Sequence, residues 1–150
     1  MSHHTLKTIT AYLHQHIPLT AHMGVCVTAY NGTSVRLFAP LEANLNHQNT
    51  AFGGSLSTLG IMAGWTLLHI RLQEATISNR LVIQKSTMEF LKPATGDLEA
   101  VCSQANAEEW ARFTQMITEK EKSRITLTAE IFSQNQRVAI NEGVFVSLRL

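Results

Sequence analysis

The spacing of apolar and polar positions changes along the chain, and each change predicts a new element. From Leu6 to Ile17 apolar residues recur at helical spacing, so we predict a short amphipathic helix over residues 4–17. We expect Pro18 to end it, because the residue before a proline avoids the helical region.

Period-two alternation then predicts a set of strands. Residues 24–30 and 34–39 alternate on either side of Asn31-Gly32, a two-residue hairpin signal. Four later segments alternate in the same way and predict further strands: 80–91, 97–104, 123–132 and 136–148.

Between these strands lies one long apolar helix. It opens at Gly53-Gly54-Ser55 and runs to about Glu74, roughly 30 Å at about 1.5 Å per residue. A helix that is apolar nearly all round must be covered on several sides. A capping-box pattern at residues 106–109 starts an extra helix between strands 4 and 5.

These elements predict an α+β fold with a curled antiparallel β-sheet around the long helix. One sheet cannot cover every side of that helix, so the pattern also favours a second subunit. Two central helices that lie close together in a homodimer would meet this need.

Composition narrows the class of protein. The chain has 150 residues, which predicts a single domain over 1–150. An apolar share of 45% excludes a disordered chain, and a charged share of 15% is low, which favours an oligomer or an apolar groove. A net charge of +1 argues against nucleic acid or an anionic membrane as the partner. Cys26 and Cys102 fit no metal spacing and indicate free thiols in the cytoplasm.

Two segments resemble a known family. Residues 46–56, followed by the apolar helix, resemble the hotdog-fold acyl-CoA thioesterases, and residues 88–97 resemble the strand and Gly-Asp turn of the same fold. The sequence is most similar to the thioesterases related to the YiiD C-terminal domain, through residues 46–56, 63–65 and 82–84. The likeness covers about residues 20–148. The positions that match the PaaI-like motif are Asn46, Thr50, Gly53 and Gly54.

The resemblance implies a hotdog fold and a homodimer, or a tetramer of paired dimers, with active sites between subunits. It implies a thioester of coenzyme A or acyl-carrier protein as substrate, and neither a metal nor another cofactor. The chain departs from the PaaI-like pattern at two places. Ile61 stands where those enzymes carry a helix carboxylate, and Phe52 replaces the motif histidine.

Gly53 and Gly54 are the candidate oxyanion site. A helix N-terminus has unpaired N–H groups and a positive dipole end, and glycine lets a thioester carbonyl approach. The alternative is that both glycines only let a loop turn tightly into a packed helix.

The amide-rich loop before them supplies the other candidate catalytic groups. Asn46 could orient a water, and His47 is the candidate general base, because an imidazole titrates near neutral pH. Asparagines that cap loop turns are the alternative. The remaining predicted substrate contacts are Asn49, Thr50, Phe52, Ser55, Ser57 and Ser86, and a covalent serine is disfavoured because no base is nearby in sequence.

Three functions compete at this stage. A thioesterase needs only oxyanion donors and an oriented water, because a thioester is already activated. A non-catalytic acyl-thioester binding or regulatory module is the alternative that the missing helix acid favours. A hotdog dehydratase would need that acid as well as a histidine.

Overall fold

The computed structural model describes residues 3–150, and side chains from residue 5 onward. The helices are α1 His3–His16, α2 Pro18–Met23, α3 Gly53–Glu74 and α4 Ala107–Lys120. The strands are β1 Cys26–Tyr30, β2 Ser34–Ala39, β3 Asn79–Phe90, β4 Leu98–Ser103, β5 Lys122–Ser133 and β6 Gln136–Arg149, and a 3-10 turn spans Glu42–Asn44. Among the helices of this part of the chain, none combines the length and apolarity that crossing a bilayer requires.

The strands form one antiparallel sheet in the order β1-β2-β4-β5-β6-β3. Helix α3 contacts β2, β3, β4, β5 and β6. Strands lie about 4.8 Å apart and a helix is only about 10 Å across, so a flat sheet could not bring five strands to one helix. The sheet therefore curls around α3, which confirms the α+β fold that the pattern predicts.

Two glycines let α3 lie against β6. A Cβ added to Gly60 would sit 2.6 Å from the Cβ of buried Asn141. One added to Gly64 would sit 2.7 Å from Cζ of Phe145. Both distances are too short for any side chain, so these positions set how closely the helix approaches the sheet.

The two edges of the sheet differ. The edge strand β1 is covered by α1, where Thr10 Oγ1 accepts a hydrogen bond from the Val27 N–H at 2.9 Å, and His14 Nε2 lies 2.7 Å from the Val25 carbonyl oxygen. The opposite edge strand, β3, has no buried residue along its length. An open edge of this length is a template for pairing with another chain.

The structure tests three local predictions. Helix α1 ends at His16, before Pro18, as predicted. The sequence did not predict the second helix, α2: Pro18 occupies its first turn, where the missing N–H costs nothing, and Gly24 is its C-cap with φ of 71°. The β1–β2 hairpin loop contains three residues, 31–33, rather than two. The cap of α4 is confirmed, because Asn106 Oδ1 accepts from the Glu109 N–H at 3.0 Å.

Candidate active site

The N-terminus of α3 is open. Phe52 is its N-cap residue and supplies no side-chain cap. The Phe52 carbonyl accepts from the N–H groups of Ser55 at 2.9 Å and Leu56 at 3.1 Å. Within residues 3–150 the N–H groups of Gly53 and Gly54 have no acceptor, as helix geometry dictates for the first turn. Two donors and the positive dipole end are therefore available to a ligand.

The loop before α3 is organised by Asn46. Its Oδ1 accepts from the N–H groups of Gln48 at 2.8 Å and Thr50 at 3.1 Å. Its Nδ2 donates to Thr50 Oγ1 at 2.9 Å and to the Ala51 carbonyl at 3.4 Å. These four contacts use the full capacity of a side-chain amide. Asn46 therefore shapes the loop and has no donor or acceptor left for substrate.

His47 and Asn49 lie at the tip of the same loop, and both are exposed. Asn49 has a φ of 62°, a left-handed conformation that asparagine tolerates better than most residues. The structure does not bring His47 to the pocket beside α3.

That pocket has a volume of about 310 Å³ and lies beside the helix N-terminus. It is formed by α2, by the 3-10 turn and by the first turns of α3. Its walls are mainly apolar, with a few polar groups among them: Leu19, His22, Met23, Asn44, Phe52 and Gly54. A mostly apolar pocket with a few convergent polar groups is typical of a small-molecule site.

Asn44 is the buried polar residue of this pocket, with 3% of its surface exposed. Its Nδ2 donates to the carbonyls of Met23 at 2.9 Å and Pro40 at 2.7 Å, and this fixes the orientation of the amide. Its Oδ1 is buried and accepts no hydrogen bond from any residue that the structure describes. A buried acceptor without a donor costs about 1–3 kcal/mol, which a ligand or a water with an N–H or O–H donor would recover.

The other predicted contacts divide between this pocket and other places. Ser55 lines the pocket. Thr50 Oγ1 accepts the hydrogen bond from Asn46 Nδ2 and does not line the pocket. Ser57 lies half-buried on α3, also outside the pocket. Ser86, on the open strand β3, accepts from Asn141 Nδ2 at 2.8 Å beside the middle of α3.

Comparison with known proteins agrees with this architecture. The family model described as "Putative thioesterase (yiiD_Cterm)" matches residues 6–149. The chain belongs to this family.

Solved structures are similar over nearly the whole chain. A protein of unknown function from Chlorobaculum tepidum is 30% identical with a TM-score of 0.92, covering 97% of this chain and 95% of that one. A putative thioesterase from Shewanella oneidensis is 21% identical with a TM-score of 0.83, covering 95% and 96%. A probable thioesterase from Pseudomonas aeruginosa is 20% identical with a TM-score of 0.83, covering 96% and 95%. The fold is thus the hotdog fold that the resemblance implied.

This member of the yiiD C-terminal family has no acid on α3 before Glu74. Glu74 lies at the far end of α3, about 30 Å from Gly53 at about 1.5 Å per residue. There it accepts a hydrogen bond from the Tyr30 hydroxyl. Burial, and then this bond with Glu74, raise the pKa of Tyr30. Glu74 therefore serves a contact away from the candidate site, while half-buried Ile61 holds the position of the usual acid.

Two residues of the pocket could not be identified from the sequence. His22 and Asn44 lie outside the family motif. His22 on α2 is separated from α3 by β1, β2 and the 3-10 turn, and Asn44 is the last residue of that turn. A proline at the first position of a helix could have revealed α2, but no local signal places α2 against the start of α3.

Proposed function

We propose that this chain hydrolyses an acyl thioester of coenzyme A or acyl-carrier protein at the N-terminus of α3. The N–H groups of Gly53 and Gly54 stabilise the oxyanion that forms when water attacks the thioester carbonyl. The observation that carries this proposal is the pair of free N–H donors at the edge of an apolar pocket. Removal of one such donor in known acyl-transfer sites costs about 3–4 kcal/mol of transition-state stabilisation.

His22 is the proposed general base. Among the residues that line this pocket, it carries the imidazole, the side chain that most often serves as a general base. The sequence favours His47 instead, since it lies within the motif. The lining of the pocket includes His22 and does not include His47, which supports His22.

The proposed assembly is a homodimer that pairs through β3. The motive is the contrast between the two sheet edges, since α1 covers β1 and β3 is open. Large apolar side chains stand out at both ends of β3, with Val82 45% and Phe90 56% exposed. The Phe90 ring also lies 3.5 Å from the ideal Cβ position of Gly53, so a subunit paired at this edge would lie beside the proposed oxyanion site. Pairing of two such dimers into a tetramer is compatible with this arrangement.

A non-catalytic acyl-thioester binding module is the second candidate. The observation that favours it is Ile61, where related enzymes have a carboxylate. Such a module would use the same pocket and the same N–H donors, and would bind the thioester without cleaving it.

Release of free thiol from a panel of acyl-CoA thioesters tests the proposal. We expect saturable turnover with a rate that depends on the acyl group. Saturable binding without thiol release would favour the binding module, and neither binding nor release from acyl-CoA or acyl-carrier protein would contradict both.

A further inference from the structure

We propose that the pocket between α2 and the start of α3 holds the acyl chain of the substrate, and that Leu19 and Ala43 set its length. This inference rests on the proposed function. The ligand class is an S-acyl pantetheine with an unbranched chain. A volume of about 310 Å³ accommodates on the order of ten groups of about 30 Å³, which suits a chain of about six to eight carbons.

The walls have the chemistry that an alkyl chain needs. Leu19 and Met23 come from α2, Ala43 from the 3-10 turn, and Phe52 from the cap of α3. Leu19 is 54% and Phe52 56% exposed, although both are large hydrophobic residues. Covering apolar surface inside a concavity with an apolar ligand is favourable, because it removes that surface from water.

Asn44 supplies an independent indication of a ligand. The two carbonyls that hold its Nδ2 leave Oδ1 as a buried acceptor with no donor among the described residues. The pantetheine arm carries an amide N–H close to the thioester sulfur, whether the carrier is coenzyme A or a protein. A chain seated in this pocket, with its carbonyl at Gly54, would bring that N–H to the same wall.

Helix α2 connects the pocket to the rest of the fold. Its C-terminal residue Met23 is buried, and the Met23 carbonyl is one of the two acceptors of Asn44. The Asn44 carbonyl in turn accepts from the Phe52 N–H at 2.8 Å. Met23, Asn44 and Phe52 are thus linked in series, so α2 has a defined position relative to the N-terminus of α3.

Binding of non-hydrolysable S-alkyl-CoA thioethers of increasing length tests the inference. In the wild type, affinity should rise about three- to fourfold per added carbon and level off near six to eight carbons. Ala43→Leu should bring the plateau to shorter chains, and Leu19→Ala should extend it. Ala111→Leu, on the exposed face of α4, is the matched control and should leave the series unchanged. Affinity independent of length, or a plateau that Ala43→Leu does not move, would overturn the assignment.

The same series as S-alkyl-pantetheines, which lack the nucleotide, tests whether the length dependence comes from the pocket alone. The increment per carbon should be the same, because the pocket contacts the chain, and a length dependence that requires the nucleotide would contradict the inference. Thiol release measured in parallel separates this inference from the proposed function. Chain-dependent binding without hydrolysis would retain the pocket and reject the hydrolase. Hydrolysis together with a chain-length plateau that Ala43→Leu does not move would retain the hydrolase and reject the pocket assignment.

Discussion

The ring of Phe52 lies over the Cα of Gly54, and a Cβ added to Gly54 would be 2.3 Å from Phe52 Cε2. Phe52 thus covers the glycine from its own cap position while remaining 56% exposed. This arrangement gives Gly54 two reasons to lack a side chain. One is access for a thioester carbonyl, and the other is space for the Phe52 ring.

We predict that Gly54→Val abolishes thioester turnover and leaves the fold intact. The substitution carries no helix-propensity penalty, because valine is a better helix former than glycine, and the exposed Phe52 ring can turn away. Thiol release and thermal unfolding measure the two effects.

The double variant Gly54→Val with Phe52→Ala distinguishes the two reasons. If the valine blocks the carbonyl, the double variant stays inactive. Recovery of activity would show that the displaced ring caused the loss, and the oxyanion assignment would lose its support. A collapse of stability in the single variant would instead favour the packing role.

His22 and His47 form a matched pair for the identity of the base. His22→Gln should lower kcat by about 100-fold or more, because general-base catalysis typically contributes that much. The wild-type rate should rise with pH in one step, and the step should be missing in His22→Gln. His47→Gln should leave both rate and pH profile unchanged. The reverse result would restore His47, and a flat profile for the wild type would exclude both.

Most bounds of the helices and strands could be predicted from the sequence, because alternation and helical spacing reflect which face of each element is buried in the core around α3. The candidate site could be predicted only in part. Gly53 and Gly54 carry a chemical signal in the chain itself. The role of Asn46 depends on which atoms the loop places around it, and the motif does not contain that information. His22 and Asn44 reach the pocket only through the packing of α2 on the 3-10 turn, a tertiary contact between segments without local periodicity.

Asn46 should prove to be a residue of loop structure. Asn46→Ala removes the acceptor of two backbone N–H groups, and we expect unfolding free energy to fall by about 1–2 kcal/mol. Asn46→Asp keeps both of these contacts and loses only the donors, so it should retain most stability and most activity. An Asp variant that is stable and yet as inactive as the Ala variant would indicate a direct contact between Nδ2 and substrate.

The open edge predicts the oligomeric state. Light scattering at micromolar concentration should give the mass of two chains, or of four. Val82→Glu places a charge on β3 and should shift the mass toward one chain and lower activity. Ala29→Glu, on the covered edge strand β1, is the control and should do neither. A wild-type mass of one chain would reject the dimer.

His69 lies in a run of stacked rings that joins α1 to α3. Its ring centroid is 4.7 Å from that of Tyr12 and 4.7 Å from that of Trp65, and Tyr12 is 4.2 Å from His16. Burial lowers the pKa of His69, with His16 as a second cause. The folded protein therefore favours the neutral ring more strongly than the unfolded chain does.

This depression fixes the sign of a pH effect on stability. Between the folded pKa of His69 and the unfolded value of about 6.5, the unfolded chain binds more protons, so the free energy of unfolding falls as pH falls below about 6.5. His69→Phe keeps a stacked ring and removes the titration, so chemical denaturation between pH 7.5 and 5 should show a smaller decline for this variant. His16→Gln should reduce the decline only in part, since His16 is the lesser cause. Equal declines for the wild type and His69→Phe would show that other groups control acid stability and that the α1–α3 contact does not respond to pH.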